Sequence, residues 1–277
     1  MVLAGGSFSA SAWETGLVAG LASAGIDLRN SDLFIGTSAG ARVALNLAAG
    51  LDLERLFAQQ FEPVHLGHSA GPTLDWPTIR RECAEAKAAS GGTEVILKRI
   101  GAIALRHGSL EPSDVQARRE TMRLQLASQT WPEKPVLIVT LNAETGARRA
   151  LDRASGVSVI DAMIATTASF GAPPVPIDGQ FHIDGGYHSS NNADLASGFD
   201  EVIVLSLRAP PGALALFPVD ETVAAMKDSG VRVVLIQPDE ASQQAVMSGG
   251  PGDPAVRGPI AKAAYQQGKQ LTQLLSE

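Results

Sequence analysis

The chain has 277 residues, 45% of them hydrophobic and 18% charged, with a formal net charge of −7. That length can bury a full core as one large domain or two small ones, and the acidic balance argues against nucleic acid and against electrostatic docking to anionic lipid. The one cysteine, Cys83, excludes an intramolecular disulfide, fits a reducing compartment, and reads as a packed helix residue.

In chain order, Met1 to Leu3 reads as an apolar strand that opens into the loop Gly5-Gly6-Ser7 and then a helix over residues 11–21. No basic segment of a secretion signal precedes this strand, so a cytoplasmic location is expected. A Gly-Gly loop between strand and helix presents backbone N–H groups to an anion, which makes it a candidate oxyanion hole. A dinucleotide fingerprint would need glycines spaced G-x-G-x-x-G, and this loop lacks that spacing.

Next comes a buried strand ending at Ile35, the run Gly36-Thr37-Ser38-Ala39-Gly40, and an apolar helix over residues 39–49. This is the G-x-S-x-G form, in which Gly36 and Gly40 let a strand turn sharply into a helix and hold the serine hydroxyl out of the turn. The helix aims its free N–H groups and positive dipole end at Ser38, a place suited to developing negative charge. Arg42 and Asn46 interrupt the apolar run, so a core helix is expected there and no transmembrane segment.

Residues 51–131 mix Pro-Gly turns with helical segments at 79–88 and 94–105. Leu56, Phe57, Phe61, Leu66, Leu74 and Trp76 either pack in the core or line an acyl pocket. His65 and His68 have the spacing of a metal pair, but a glycine lies between them and no Glu or Cys partner is near, so no metal is expected.

Strands follow at 136–141, 202–207 and 231–236, and a last helix at 260–275. Between the first two of these lies His182-Ile183-Asp184-Gly185-Gly186, an apolar strand end whose carboxylate can project beyond the strand because the Gly185-Gly186 turn leaves it little steric cover. An unassisted serine hydroxyl is a poor nucleophile, so Ser38 needs a base. His188 with Asp161, or His182, could formally close a triad, yet no histidine follows His188 and the elbow comes early for that order. Asp184 as the base of a Ser-Asp dyad fits better.

These motifs in this order resemble the patatin-like phospholipase family: the glycine loop after the first strand, the Ser38 elbow, and the block from Asp161 through Pro176 to Asp184-Gly185-Gly186 and Asn191-Asn192. The resemblance spans roughly residues 1–207. It implies a single domain over 1–277, a three-layer α/β/α sandwich with a central, mostly parallel sheet. Within it, 51–131 is a variable substrate-covering insertion and 208–277 supplies a C-terminal strand and helices. It implies Ser38 as nucleophile, Asp184 as general base, and Gly5, Gly6 and Ser7 as the oxyanion hole, with no cofactor.

The implied activity is hydrolysis of a carboxyl ester, as a phospholipase A, lysophospholipase or esterase, on a lipid or small ester, with transient contact at a membrane surface. The alternative is a catalytically weak or inactive module that binds acyl chains or a protein partner. Two departures matter, since family members usually carry more glycines in the loop and often an arginine. Here Ser7 and Ala10 stand at later loop positions and no arginine precedes Ile26. If either requires positive φ, its Cβ costs about 1 kcal/mol or more.

Overall fold

The computed structural model describes residues 1–64, 74–210 and 212–271. Among these, eight strands form one sheet: β1 (Val2–Leu3), β2 (Phe34–Thr37), β3 (Val136–Asn142), β4 (Arg148–Leu151), β5 (Val175–Ile177), β6 (Gln180–Asp184), β7 (Glu201–Leu205) and β8 (Arg232–Ile236). The order is β5-β6-β3-β2-β1-β7-β8, with β4 paired to β3 off that path. Strands β3, β2, β1, β7 and β8 pair in parallel, and β4, β5 and β6 join by antiparallel ladders.

Successive residues of a strand point to opposite faces, and here both faces are apolar because both are covered. Leu3, Phe34, Val136, Ile138 and Leu205 enter one core with α1 (Ser7–Ser23), α2 (Ala39–Ala48), α7 (Val159–Thr166) and α10 (Arg257–Gln270). Their neighbours Val2, Ile35, Val139, Val202 and Val204 enter a second core with α8 (Val219–Asp228). Leu141 and Ile183 join a third beneath α4 (Trp76–Ala88) and α5 (Thr93–His107). The result is the expected α/β/α sandwich around a mixed, mostly parallel sheet.

The parallel strands fall where the apolar runs predict, although β7 stops at Leu205, two residues short of the expected end. Helix α4 starts earlier than its apolar pattern because Asp75 caps it, accepting from the Thr78 N–H, with Pro77 in the first turn. Helix α6 (Pro112–Gln125) was not expected at all. Only Val115 and Met122 are buried along it, too thin an apolar stripe to reveal a helix. The expected last helix begins three residues early, at Arg257, and its final residues lie outside those described. Short helices α3 (Leu53–Ala58) and α9 (Glu240–Met247) complete the set.

No helix among the described residues is long and apolar enough to cross a membrane, and no cluster of three or more His, Cys, Asp or Glu forms among them. Cys83 is buried, and desolvation pushes its thiol up to about 11, consistent with a packed helix residue.

The tightest helix contact is α1 against α10. A Cβ on Gly20 would lie 2.2 Å from the Tyr265 carbonyl oxygen, closer than any carbon can approach, and both partners are backbone. Gly20→Val is expected to cost more than about 2 kcal/mol through overpacking, read as a lowered midpoint in chemical denaturation.

Candidate active site

The sheet register brings the two functional strand ends together. Thr37, the last residue of β2, pairs with Val139, and Asp184, the last residue of β6, pairs with Thr140. Because β2 runs parallel to β3 and β6 antiparallel, their carboxyl ends meet head to head at consecutive β3 residues. Ser38 follows β2 directly, so the nucleophile candidate and the carboxylate are delivered to one point by strand pairing.

Ser38 sits at φ 53°, ψ −123°, a region that side-chain-bearing residues rarely occupy and that costs on the order of 1–3 kcal/mol. The bend is held from both sides. A Cβ on Gly40 would strike the Leu3 carbonyl oxygen at 2.4 Å, and one on Gly36 would strike the Ala41 Cα at 2.4 Å, so only glycine permits the strand and helix to pack this closely. The Ser38 N–H donates to Thr166 Oγ1 (2.8 Å), whose hydroxyl donates to the Val139 carbonyl (2.6 Å). Thr166 thus clamps the elbow to β3, a role that its place in an apolar helix did not signal.

Asp184 is buried, 7% exposed, and its Oδ1 accepts from the Gly186 N–H at 2.8 Å. Burial raises its carboxyl from an ordinary 3.8 to about 6, against the lowering effects of the Ser38 hydroxyl, the Gly186 amide and the Arg118 charge. The Ser38 hydroxyl is thus among the groups that act on the carboxylate and favour its ionised form. Gly185 packs where a Cβ would lie 2.5 Å from the Val139 carbonyl oxygen.

Asn192, part of the block that carries the family resemblance but given no role by the sequence, supplies a second clamp. Its amide donates to Thr37 Oγ1 (3.0 Å), the Ser189 carbonyl (2.7 Å) and, more weakly, the Gly185 carbonyl (3.4 Å). One buried side chain therefore joins the residue before Ser38 to the residue after Asp184. An Asn two residues past a Ser-Ser pair gives no periodic signal, and only the register reveals it.

The glycine loop lies beside the elbow, with Gly5 so near that a Cβ there would meet the Ser38 Cβ at 3.0 Å. Its N–H donates to the Ser190 carbonyl at 2.7 Å, so Gly5 acts here as a spacer and is not the free donor that was expected. Gly6 at φ 155° and Ser7 at φ 58° keep N–H groups with no partner among the described residues, as does Ala39 in the first turn of α2. Ser7 is thus the loop position that needed positive φ, whereas Ala10 lies within α1 and does not.

The alternative triads do not assemble. His182 is buried with its Nδ1 3.0 Å from Thr140 Oγ1. His188 stacks on Phe217, and Asp161 is ion-paired to Arg119 at 2.7 Å. Burial lowers both imidazoles to about 4, so both are neutral at physiological pH. Of the expected pocket residues, Leu56 is core and Phe57 packs on Tyr265, while Phe61 and Trp76 are exposed and Leu74 packs against Gly171. His65, Leu66 and His68 lie outside the described residues.

A family model described as patatin-like phospholipase matches residues 1–197. The chain belongs to the patatin-like phospholipase family. Among solved structures it is similar to the crystal structure of the type III effector protein ExoU, with 14% identity and a TM-score of 0.38, covering 98% of this chain and 53% of that one. The chain thus spans about half the length of that structure. No curated protein matches it.

Two measurements probe this geometry. Thr166→Val removes the acceptor of the Ser38 N–H and the donor to Val139, and is expected to cost about 1–3 kcal/mol in denaturant unfolding. Asp184→Asn is expected to stabilise the protein at pH 8. A carboxyl whose folded pKa lies above its unfolded value favours folding while protonated, and that contribution is lost as pH rises from 3.8 through about 6. The variant should gain on the order of 1–3 kcal/mol at pH 8 and nothing at pH 3, read from unfolding curves at the two pH values.

Proposed function

We propose that the chain is a serine acyl hydrolase that cleaves carboxyl esters of lipids, phospholipid, lysophospholipid or simple fatty ester, through a Ser38–Asp184 dyad and an acyl-enzyme. The observation that carries this reading is the head-to-head meeting of β2 and β6, which sets a serine in a strained elbow against a buried carboxylate.

In the first step Asp184 takes the Ser38 proton as Oγ bonds to the ester carbonyl carbon. The carbonyl oxygen gains the negative charge, and the amides of Gly6, Ser7 and Ala39 are the donors free to receive it. Collapse breaks the ester C–O bond, and Asp184 gives its proton to the departing alcohol. Water then attacks the acyl carbon, again losing its proton to Asp184, and the carboxylic acid leaves as Ser38 recovers the proton. A carboxylate with pKa near 3.9 would be a weak base for these steps, and burial to about 6 brings it closer to neutrality.

Broad esterase or lysophospholipase activity is the preferred form, because the site residues address the ester carbonyl and the acidic chain offers little general attraction to anionic surfaces.

The test is labelling by a fluorophosphonate probe with mass spectrometry, alongside p-nitrophenyl ester hydrolysis. Wild type is expected to carry the adduct on Ser38, Ser38→Ala to carry none, and Asp184→Asn to lose at least ~100-fold in rate. Hydrolysis should rise with pH through about 6 as Asp184 ionises. Native-rate hydrolysis by Asp184→Asn, or an adduct elsewhere than on Ser38, would overturn the dyad.

A further inference from the structure

Arg118, on α6, has no role in the reaction as described, yet its surroundings are unusual for an arginine. It is half-buried, and among the described residues no carboxylate lies within ion-pair distance. Its neighbour in sequence, Arg119, is by contrast matched by Asp161. The Arg118 guanidinium donates to the Thr167 hydroxyl (2.9 Å), the Thr167 carbonyl (3.2 Å) and the Pro173 carbonyl (3.4 Å). These acceptors are neutral, so its charge is left uncompensated locally.

The segment it grips connects α7 to β5, and that segment also holds the carboxylate's own backbone: the Asp184 N–H donates to the Ala168 carbonyl at 3.1 Å. Arg118 is therefore tied to Asp184 twice, by position through the Thr167–Pro173 segment and by charge across the site, where each group acts electrostatically on the other. The remaining groups around the carboxylate carry no charge at neutral pH. Ser38 and the Gly186 amide are neutral donors. Tyr187 on the following turn is held un-ionised by burial and by Asp184 itself, and its hydroxyl accepts from the Phe170 N–H at 2.8 Å. His182, earlier on β6, is neutral, and Arg149 and Asp178 pair with each other.

We propose that Arg118 is a positioning residue for the dyad, a cation fixed by Thr167 and Pro173 whose unmatched charge keeps the buried Asp184 carboxylate ionised and ready to receive the Ser38 proton. The inference rests on the Ser38–Asp184 reading above. Burial alone drives a carboxyl toward its neutral form, in which it cannot act as a base. A fixed cation with no charged partner among the described residues opposes that drift without a salt bridge that would cover the carboxylate oxygens. Burial lowers Arg118 itself only to about 10, so it remains charged throughout the working range.

The test compares wild type, Arg118→Lys and Arg118→Gln in two readouts: the pH profile of kcat/KM on a p-nitrophenyl ester, and direct titration of Asp184 by carbon NMR with aspartate labelled at the carboxyl. Asp184→Asn identifies the resonance. Arg118→Gln is expected to move both midpoints upward by about one pH unit, so that the ratio of kcat/KM at pH 6 to that at pH 8.5 falls about fivefold. Arg118→Lys keeps the charge but loses the planar grip, and should retain most of the wild-type midpoint. It also preserves the comparison should the glutamine variant unfold.

Equal losses at every pH with an unmoved Asp184 midpoint would overturn the proposal and leave Arg118 a purely structural clamp. A lysine variant whose midpoint moves as far as glutamine's would overturn it as well. An Asp184 resonance that shifts while the rate profile stays fixed would uphold the coupling and instead remove Asp184 from the role of base, which separates the failure of this inference from that of the dyad.

Discussion

The site depends on one constraint, the opposition of two strand ends on a shared neighbour. Strand β3 accepts β2 in parallel and β6 in antiparallel register, at Val139 and Thr140 respectively. Shifting either ladder by one residue would turn Ser38 or Asp184 to the other face of the sheet, because side-chain direction alternates with every residue. The register is protected by the cores on both faces, into which Ile138, Val139 and Ile183 are locked. Hydrophobic packing far from the hydroxyl thus sets the hydroxyl's distance from the carboxylate, and Thr166 and Asn192 fasten the two ends after packing has aligned them.

Two of the site's features oppose stability. Ser38 occupies a strained backbone conformation, and Asp184 is a buried carboxylate whose pKa of about 6 means that ionisation at neutral pH works against folding. Neither survives unless its surroundings overdetermine it. The clamps do so for the elbow: the collision of any Cβ at Gly36 or Gly40 and the hydrogen bond from the Ser38 N–H leave no relaxed alternative. For the carboxylate, the Gly186 amide and the Arg118 charge reduce the cost without abolishing it. In the proposed reaction that residual cost is the basicity of Asp184, since a fully satisfied carboxylate would be too weak a base.

What could be read from the sequence divides along the same physical line. Local signals were legible: the glycines flanking Ser38, the Gly-Gly turn after Asp184 and the apolar strands at 136 and 231 each carry their reason within a few residues. Helix α6 was not, since two buried residues in fourteen make no stripe. The clamps were hidden for a different reason. Thr166 meets Ser38 across 128 positions and Asn192 meets Thr37 across 155, so neither is marked by its neighbours in sequence. Arg118 was doubly hidden, in an unexpected helix and with a meaning that lies in what its guanidinium does not pair with.

The glycine loop shows how a departure from a family pattern can be local in cost and still leave its backbone donors in place. The side chain of Ser7 occupies a left-handed conformation at φ 58°, which glycine would adopt freely and serine adopts at a cost of about 1 kcal/mol. An oxyanion needs only the backbone N–H, and that group is present whichever side chain follows it. The conformation is held because Gly6 caps α1, with its carbonyl accepting from the Ala10 N–H at 3.1 Å, and because the Phe8 N–H donates to the Pro251 carbonyl at 3.0 Å. Gly5 cannot be exchanged as Ser7 has been, since its missing Cβ is the space beside Ser38. Steric demand in this loop therefore falls on both glycines, on Gly5 beside the Ser38 Cβ at 3.0 Å and on Gly6, whose Cβ would meet the Ala10 Cβ at 2.9 Å at a φ of 155°, and of the three residues only Ser7 carries a side chain.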